Sequence, residues 1–333
     1  MVIDMRDVTI SDNEAGQRMD KFLGKYLKEA GKGFIYKMLR KKNILLNGRK
    51  SDGSEKLCSG DVVRFYLADE TVEKFRGQEV KTEVYDVPDS KLDIIYEDSN
   101  IILINKPAGM LTQKAKPEDV SLNEYLISYL VKNGSISENE LQTFKPSVCN
   151  RLDRNTSGIV LAGKSLQGLQ ILSDMLRERT MDKFYFCLVK GRMTGRKELK
   201  GYLIKDNASN KVKILKEKTG DASYIHTIYE PVETRGDITL LKVKLVTGKP
   251  HQIRAHLSSD GHPIIGDGKY GDEKINRQFR QKYKLKHQLL HAGMVKMPQM
   301  EGALSNVSGK TFEAPIPEMF MNIWNQVGNG NME

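Results

Sequence analysis

Cysteine is scarce in this chain. Three occur among 333 residues, Cys58, Cys149 and Cys187, far apart and without a C-x-x-C pair. That argues against a disulfide framework and against a cysteine zinc site, and leaves reduced, semi-buried thiols as the expectation. Long apolar runs are also missing, since no stretch approaches the roughly 18 uninterrupted apolar residues of a membrane span. The opening residues, MVIDMRDVTISDNE, are polar and acidic where a secretion signal is basic and then apolar. A cytoplasmic protein without membrane association is therefore expected. What is present fits a soluble globular chain: 39% hydrophobic and 29% charged residues exclude collagen-like and disordered classes. The length favours two domains, or one large core with an appendage.

Basic residues exceed acidic ones, 53 to 43, for a net charge of +10. Most of the excess is local: residues 16–66 hold thirteen basic and five acidic side chains. Within them Met19, Phe22, Leu23, Tyr26, Leu27 and Ala30 recur at helical spacing, and a second short helix carries Ile35, Met38 and Leu39 on one side. Lys37, Arg40 and Lys41 fall on the opposite face, because successive helical residues turn by about 100°. NILLNGRK (43–50) reads as strand, Asn-Gly turn and strand, with a further strand at 61–67. A lone basic helix face is often merely solvated. Here the helix, the turn residues Arg49 and Lys50 and the following strand share one sign, which favours a phosphate-binding surface.

Residues 68–88 are polar without apolar periodicity and are expected to be a linker. A larger domain is expected at 89–325, after an N-terminal segment (1–15), the basic domain (16–67) and the linker, and before a short tail at 326–333. It opens with β-rich runs at 92–96 and 101–105 leading into Lys106-Pro107-Ala108-Gly109. Ser121 and Glu124 form a capping box ahead of a helix, and leucines at 166, 169, 172 and 176 mark another. Strand-like runs at 184–189, 224–229, 240–246 and 289–295 then predominate. The expected class is α+β with a mostly antiparallel sheet, preceded by a small α/β module. In the run at 184–189, Tyr185 shares a face with Cys187 and Val189, opposite Phe184, Phe186 and Leu188.

The segment NRLDRNTSG (150–158), followed by IVLA, sets one carboxylate, Asp153, between Arg151 and Arg154 just ahead of an apolar strand. Guanidinium neighbours favour the anionic form of a carboxylate, and an anionic carboxylate can act as nucleophile or base. The same arrangement also serves as a plain structural ion pair. No second carboxylate lies nearby to form the pair a glycosidase uses. In TGKPHQIRAHL (247–257) a strand ends at Gly248 and Pro250 starts a helix, which presents His251 and Arg254 on neighbouring helix positions. A metal reading of His251 with His256, or of His287 with His291, is rejected. The first pair is poorly aligned on a helix, the second lies in a strand-like run, and neither has a carboxylate cage.

Two resemblances follow from these strings. GQRMDKFLGKYLKEAGKGFIYKMLRKKNILLNGRK resembles the small RNA-binding domain named after ribosomal small-subunit protein S-four. From residue 92 to about 317, NKPAGM, NRLDRNTSGIVLAGKS, KFYFCLVKG, LVTGKPHQIRAHLSSDGHPIIGDGKYG and LLHAGM resemble, in order, the pseudouridine synthases of the large-subunit ribosomal RNA type, most closely their C branch. The resemblance implies that Asp153 is the catalytic aspartate, Arg151 assists base flipping, Tyr185 packs against the target uracil and Arg254 pairs with Asp153. It implies isomerisation of uridine in RNA, most simply large-subunit ribosomal RNA, with no cofactor and no metal; a monomer is expected. The residue-level alternative for Tyr185 is a core tyrosine. A synthase acting on transfer RNA, or a non-catalytic RNA-binding assembly factor, are the rival functions. The chain departs from the family pattern at Asn150, commonly histidine, and at Lys249, usually arginine. Asparagine cannot titrate, and lysine loses the bidentate phosphate geometry of arginine.

Overall fold

The computed structural model describes residues 5–77, 87, 92–206 and 211–327. In the leading module, β1 (Arg6–Thr9), α1 (Met19–Tyr26), α2 (Lys32–Arg40), β2 (Ile44–Leu46), β3 (Arg49–Lys50), β4 (Val62–Phe65) and α3 (Asp69–Arg76) follow one another. The strands form an antiparallel sheet in the order β1-β4-β2-β3. Leu46 pairs with Arg49 around Asn47 and Gly48, both at positive φ (51° and 72°), the conformation a two-residue type I′ turn demands. Buried Met19, Phe22, Leu23, Ile35, Met38 and Leu39 form the core with Val63 and Phe65. Lys37, Arg40, Lys41 and Arg49 are exposed.

Two segments depart from the expected boundaries. β1 pairs with β4 although residues 1–15 are expected as a separate N-terminal segment, and α3 occupies the start of the expected linker. Val72 is fully buried in the module's core, with Phe75 against it, and these two side chains are all the apolar signal the helix has. The rest of the expected linker, 78–86 and 88, lies outside the described residues, as does the tail beyond Val327. The module rests on the larger domain: Asn13 O accepts from Leu166 N (3.1 Å), Asn13 Nδ2 donates to Ser135 O (3.2 Å), and Thr143 donates to Glu14.

The larger domain runs β5 (Ile94–Glu97), β6 (Ile101–Lys106), α4 (Leu122–Lys132), β7 (Ser147–Val148), β8 (Ser157–Gly163), α5 (Leu166–Glu178), β9 (Asp182–Lys190), β10 (Lys197–Asp206) and β11 (Lys211–Leu215). It continues with β12 (Ser223–Arg235), β13 (Ile238–Leu245), α6 (Gln252–Ser259), α7 (Glu273–Tyr283), β14 (Leu290–Lys296), β15 (Thr311–Glu313) and α8 (Glu318–Val327). One sheet orders its strands β11-β10-β12-β13-β9-β14-β8-β6-β5, with β15 on β14 and β7 on β8. All pairings are antiparallel except β14 with β8, so the α+β class holds.

Helices cover both faces of this sheet. Ile102, Ile104, Val160, Ala162, Tyr185, Cys187 and Val243 face α4 and α6. Ile101, Leu103, Ile159 and Leu161 face α5, while Leu188, Ile238 and Leu240 face α7 and α8. Burial on both faces explains why IILIN and GIVLAG read as unbroken apolar runs. Each such side chain contributes about 1.5–3 kcal/mol. Of the cysteines, only Cys149 is half-buried; Cys187 is buried and Cys58 is exposed, which corrects the uniform expectation.

Candidate active site

The loop carrying Asp153 is held before β8 by groups that are themselves buried. Thr112 Oγ1 donates to Leu152 O (2.9 Å) and accepts from Leu152 N (3.2 Å), and Thr156 N donates to Asp153 O (3.0 Å). Lys106, at the end of β6, is fully buried and donates to the carbonyls of Pro107 (2.9 Å), Met110 (2.9 Å) and Arg154 (3.1 Å). Burial pulls its pKa down to about 7, against the opposing attraction of Asp153. The Thr-Ser-Gly tail has a steric reason. Gly158 has φ +112°, and a Cβ there would meet Ala292 O at 2.2 Å, so only glycine lets β8 run against β14.

Arg254, on the first turn of α6, joins two aspartates. Its Nε and Nη2 donate to Asp267 Oδ2 (2.6 Å) and Oδ1 (2.8 Å), while Nη1 donates to Asp153 Oδ2 (2.7 Å). Asp267 is wholly buried, Arg254 nearly so, and Asp153 is one-quarter exposed. Burial alone would discharge Arg254, but its bonds to Asp267 and then the charge of Asp153 outweigh burial and raise its pKa. Burial would likewise raise Asp267, yet the Arg254 bonds hold its carboxyl below the ordinary value. Asp153 Oδ1 has no partner among the described residues. Tyr185, in β9, is 7% exposed. Burial and then the charge of Asp153 push its hydroxyl pKa up, so the ring is both part of the core and within electrostatic reach of the aspartate.

Sequence neighbours of Asp153 do not hold it. Arg154 Nε donates to Gly109 O (3.0 Å) and Arg151 is exposed; the ion pair comes from 101 positions away. Nor is His251 on the helix. It is the N-cap of α6 at φ 56°, one residue before the helix starts at Gln252, and from there its Nε2 lies 4.0 Å from Asp153 Oδ2. Asn150, at the position of the family histidine, is fully engaged. Its Oδ1 accepts from Leu161 N (2.7 Å) and its Nδ2 donates to Ile159 O (3.3 Å), closing the edge of β8. Lys249 is exposed. His291 also has both nitrogens engaged, with Ser157 Oγ (2.8 Å) and Ala314 O (3.2 Å).

A family model described as RNA pseudouridylate synthase matches residues 100–259. Ribosomal large subunit pseudouridine synthase C of Vibrio vulnificus is 31% identical over 296 residues, covering 87% of this chain and 87% of that protein. The chain belongs to the RNA pseudouridine synthase family. The Escherichia coli protein with the same description as the Vibrio one is 32% identical to the synthase over 297 residues, again covering 87% of each. An uncharacterized RNA pseudouridine synthase of Mycoplasma pneumoniae is 32% identical over 314 residues, covering 92% of the synthase and 94% of that protein. The fold also matches the solved human RNA pseudouridylate synthase domain containing 4, with a TM-score of 0.56 at 20% identity over 70% of the synthase and 92% of that chain.

Sequence reasoning misses three residues of the site. Lys106 is visible only as part of a loop, and Asp267 and Tyr270 only as letters within IIGDGKYG. An aspartate and a tyrosine four and one residues before a glycine give no periodic signal; the string itself is the one available clue. Among the described residues no helix is long and apolar enough to cross a membrane.

Proposed function

We propose that this pseudouridine synthase isomerises uridine in large-subunit ribosomal RNA, with Asp153 as the reacting carboxylate. The observation that carries the reading is the asymmetric engagement of that carboxylate: Arg254 holds Oδ2, and Oδ1 is left to meet the substrate. Isomerisation breaks the bond from ribose C1′ to uracil N1, turns the base, forms the bond from C1′ to C5, releases the C5 hydrogen to solvent as a proton and takes up one proton at N1. Atoms and oxidation state balance, so the reaction calls for no redox partner. Attack on C1′, addition to the ring and removal of the 2′ proton all need one anionic oxygen, which Oδ1 supplies.

The other residues serve access and position. Taking the base out of its stack costs a few kcal/mol, about what an inserted side chain recovers, and exposed Arg151 stands on the loop beside Asp153 for that role. Tyr185 forms the floor on which the flipped uracil packs. Lys37, Arg40, Lys41 and Arg49 have no carboxylate partner among the described residues and form, in this reading, the phosphate-binding face of an S-four-like domain. In this reading the protein acts as a monomer in the cytoplasm, where ribosomal RNA is found. Relatives described as acting on the large ribosomal subunit support that substrate over transfer RNA. Mapping pseudouridine by carbodiimide-primed reverse transcription in cells lacking the protein should reveal missing stops in large-subunit ribosomal RNA. Unchanged ribosomal RNA together with a missing transfer RNA site overturns the substrate assignment.

A further inference from the structure

Tyr270 touches Arg254, His251 and Asp267, the groups around the reacting carboxylate. Its ring lies under the Arg254 guanidinium, 5.2 Å from the centroid, and edge-on to His251 at 5.6 Å. Its backbone N–H donates to Asp267 Oδ1 (3.0 Å). Its hydroxyl accepts from Val212 N, on β11, at 2.8 Å and lies 2.9 Å from His251 Nδ1.

The hydroxyl's neighbours determine where protons sit. The Tyr270 oxygen already receives a hydrogen from the β11 backbone, and among the described residues the one acceptor in reach of its own hydrogen is His251 Nδ1. When the hydroxyl donates to Nδ1 that ring nitrogen carries no proton, and the proton of neutral His251 then sits on Nε2, the atom that faces Asp153 Oδ2 at 4.0 Å. At that separation the interaction is electrostatic, and catalytic contacts of this kind tighten when substrate enters. Charged and polar groups surround the ring. Asp153 and Asp267 favour the imidazolium, while Arg254 and Lys269 oppose it and the Tyr270 hydroxyl occupies Nδ1; with burial the largest influence, the pKa moves below the ordinary histidine value. The backbone agrees with a functional placement, because His251 holds a left-handed φ that side chains seldom adopt.

We propose that Tyr270 is a positioning residue that fixes His251 as the neutral Nε2–H tautomer facing Asp153 Oδ2, so that His251 and Arg254 together orient Oδ1 toward the uridine. The β11 edge strand, through Val212, holds the tyrosine in turn. The proposal rests on Asp153 being the reacting carboxylate, and its test separates the two.

The full-length protein is labelled with ¹⁵N-histidine, and long-range ¹H–¹⁵N spectra are recorded across pH, beside single-turnover rates on substrate RNA. Wild-type His251 should show the Nε2–H pattern throughout the neutral range. Tyr270→Phe keeps the ring beneath Arg254 but removes the hydroxyl. Its His251 should become a tautomer mixture that protonates at higher pH, since a donor to Nδ1 opposes protonation. The acid limb of the rate profile should move up with it, and the rate should fall about tenfold, the worth of one hydrogen bond, with RNA affinity within about twofold. An Nδ1–H or charged His251 in the wild-type protein overturns the proposal without any variant. So does a folded Tyr270→Phe with wild-type tautomer and rate. An active Asp153→Asn protein would instead remove the catalytic reading while leaving the tautomer assignment standing.

Discussion

Replacing Asp267 with asparagine should unfold the protein at lower temperature while leaving measurable turnover, and replacing Asp153 with asparagine should do the reverse, although both aspartates bind the same guanidinium. Asp267 has no exposed side-chain surface and takes two bonds from Arg254, together with the N–H groups of Lys269 (2.8 Å) and Tyr270 (3.0 Å). Asparagine keeps the shape and one acceptor but removes the charge from beside a buried cation. Breaking a buried pair from one side costs about 3–5 kcal/mol, and the lower end applies because Asp153 still neutralises Arg254. At about 2–4 °C per kcal/mol, Tm should fall by about 10 °C. Asp153→Asn leaves the Arg254–Asp267 fork in place and weakens a single bond at a one-quarter exposed carboxylate. That is worth about 1 kcal/mol or less, a Tm change of about 3 °C or less. Thermal unfolding gives the first quantity. Tritium release from RNA carrying [5-³H]uridine gives the second, because C5 surrenders its hydrogen when it bonds to ribose. Equal destabilisation by the two variants, or tritium release by Asp153→Asn with wild-type contamination excluded, would refute the division between a structural and a reacting aspartate.

Tyr185→Phe keeps the buried ring and removes only the hydroxyl, so folding and RNA affinity should persist while turnover falls; full activity would leave Tyr185 a core tyrosine. Replacing Lys37, Arg40 and Lys41 with alanine should flatten the dependence of log affinity on log salt by about one unit or less for each phosphate no longer engaged, with the saturating single-turnover rate preserved. An unchanged slope would show that this helix face is merely solvated.

How much of the fold is legible in the sequence depends on how many apolar side chains each element buries. The strands buried on both faces, the Ser121–Glu124 capping box and the Asn47-Gly48 hairpin are readable because each imposes a pattern over adjacent residues. α3 and α7 escape because Val72 in one, and Ile275, Asn276 and Phe279 in the other, are their buried side chains on otherwise polar helices. The local string locates Asp153, but its neighbours mislead about what holds it, since the bonded guanidinium belongs to Arg254 rather than to Arg151 or Arg154. Only the family resemblance points to that pairing. Pro250 suggests a helix that already includes His251, whereas the backbone delays two residues, to Gln252, and uses the left-handed turn to bring the imidazole round. Asp267 and Tyr270 act through long-range contacts that no window of sequence contains.

The position of β14 matters for when this enzyme comes into being on the ribosome. That strand sits between β8 and β9 and is the seam joining one half of the sheet, β5 to β8, to the half built from β9 to β13. Asp153 belongs to the first half, Tyr185 and Arg254 to the second. A growing chain that has emitted residues 1–289 therefore owns Asp153, Tyr185 and Arg254 but lacks the strand whose hydrogen bonds set β8 against β9. Vectorial synthesis delivers the seam only after Leu290–Lys296 has cleared the exit tunnel. The side chains of the site are therefore made before the strand that links their two halves of the sheet, and a chain cut back to residue 289 should lack the hydrogen bonds that set β8 against β9.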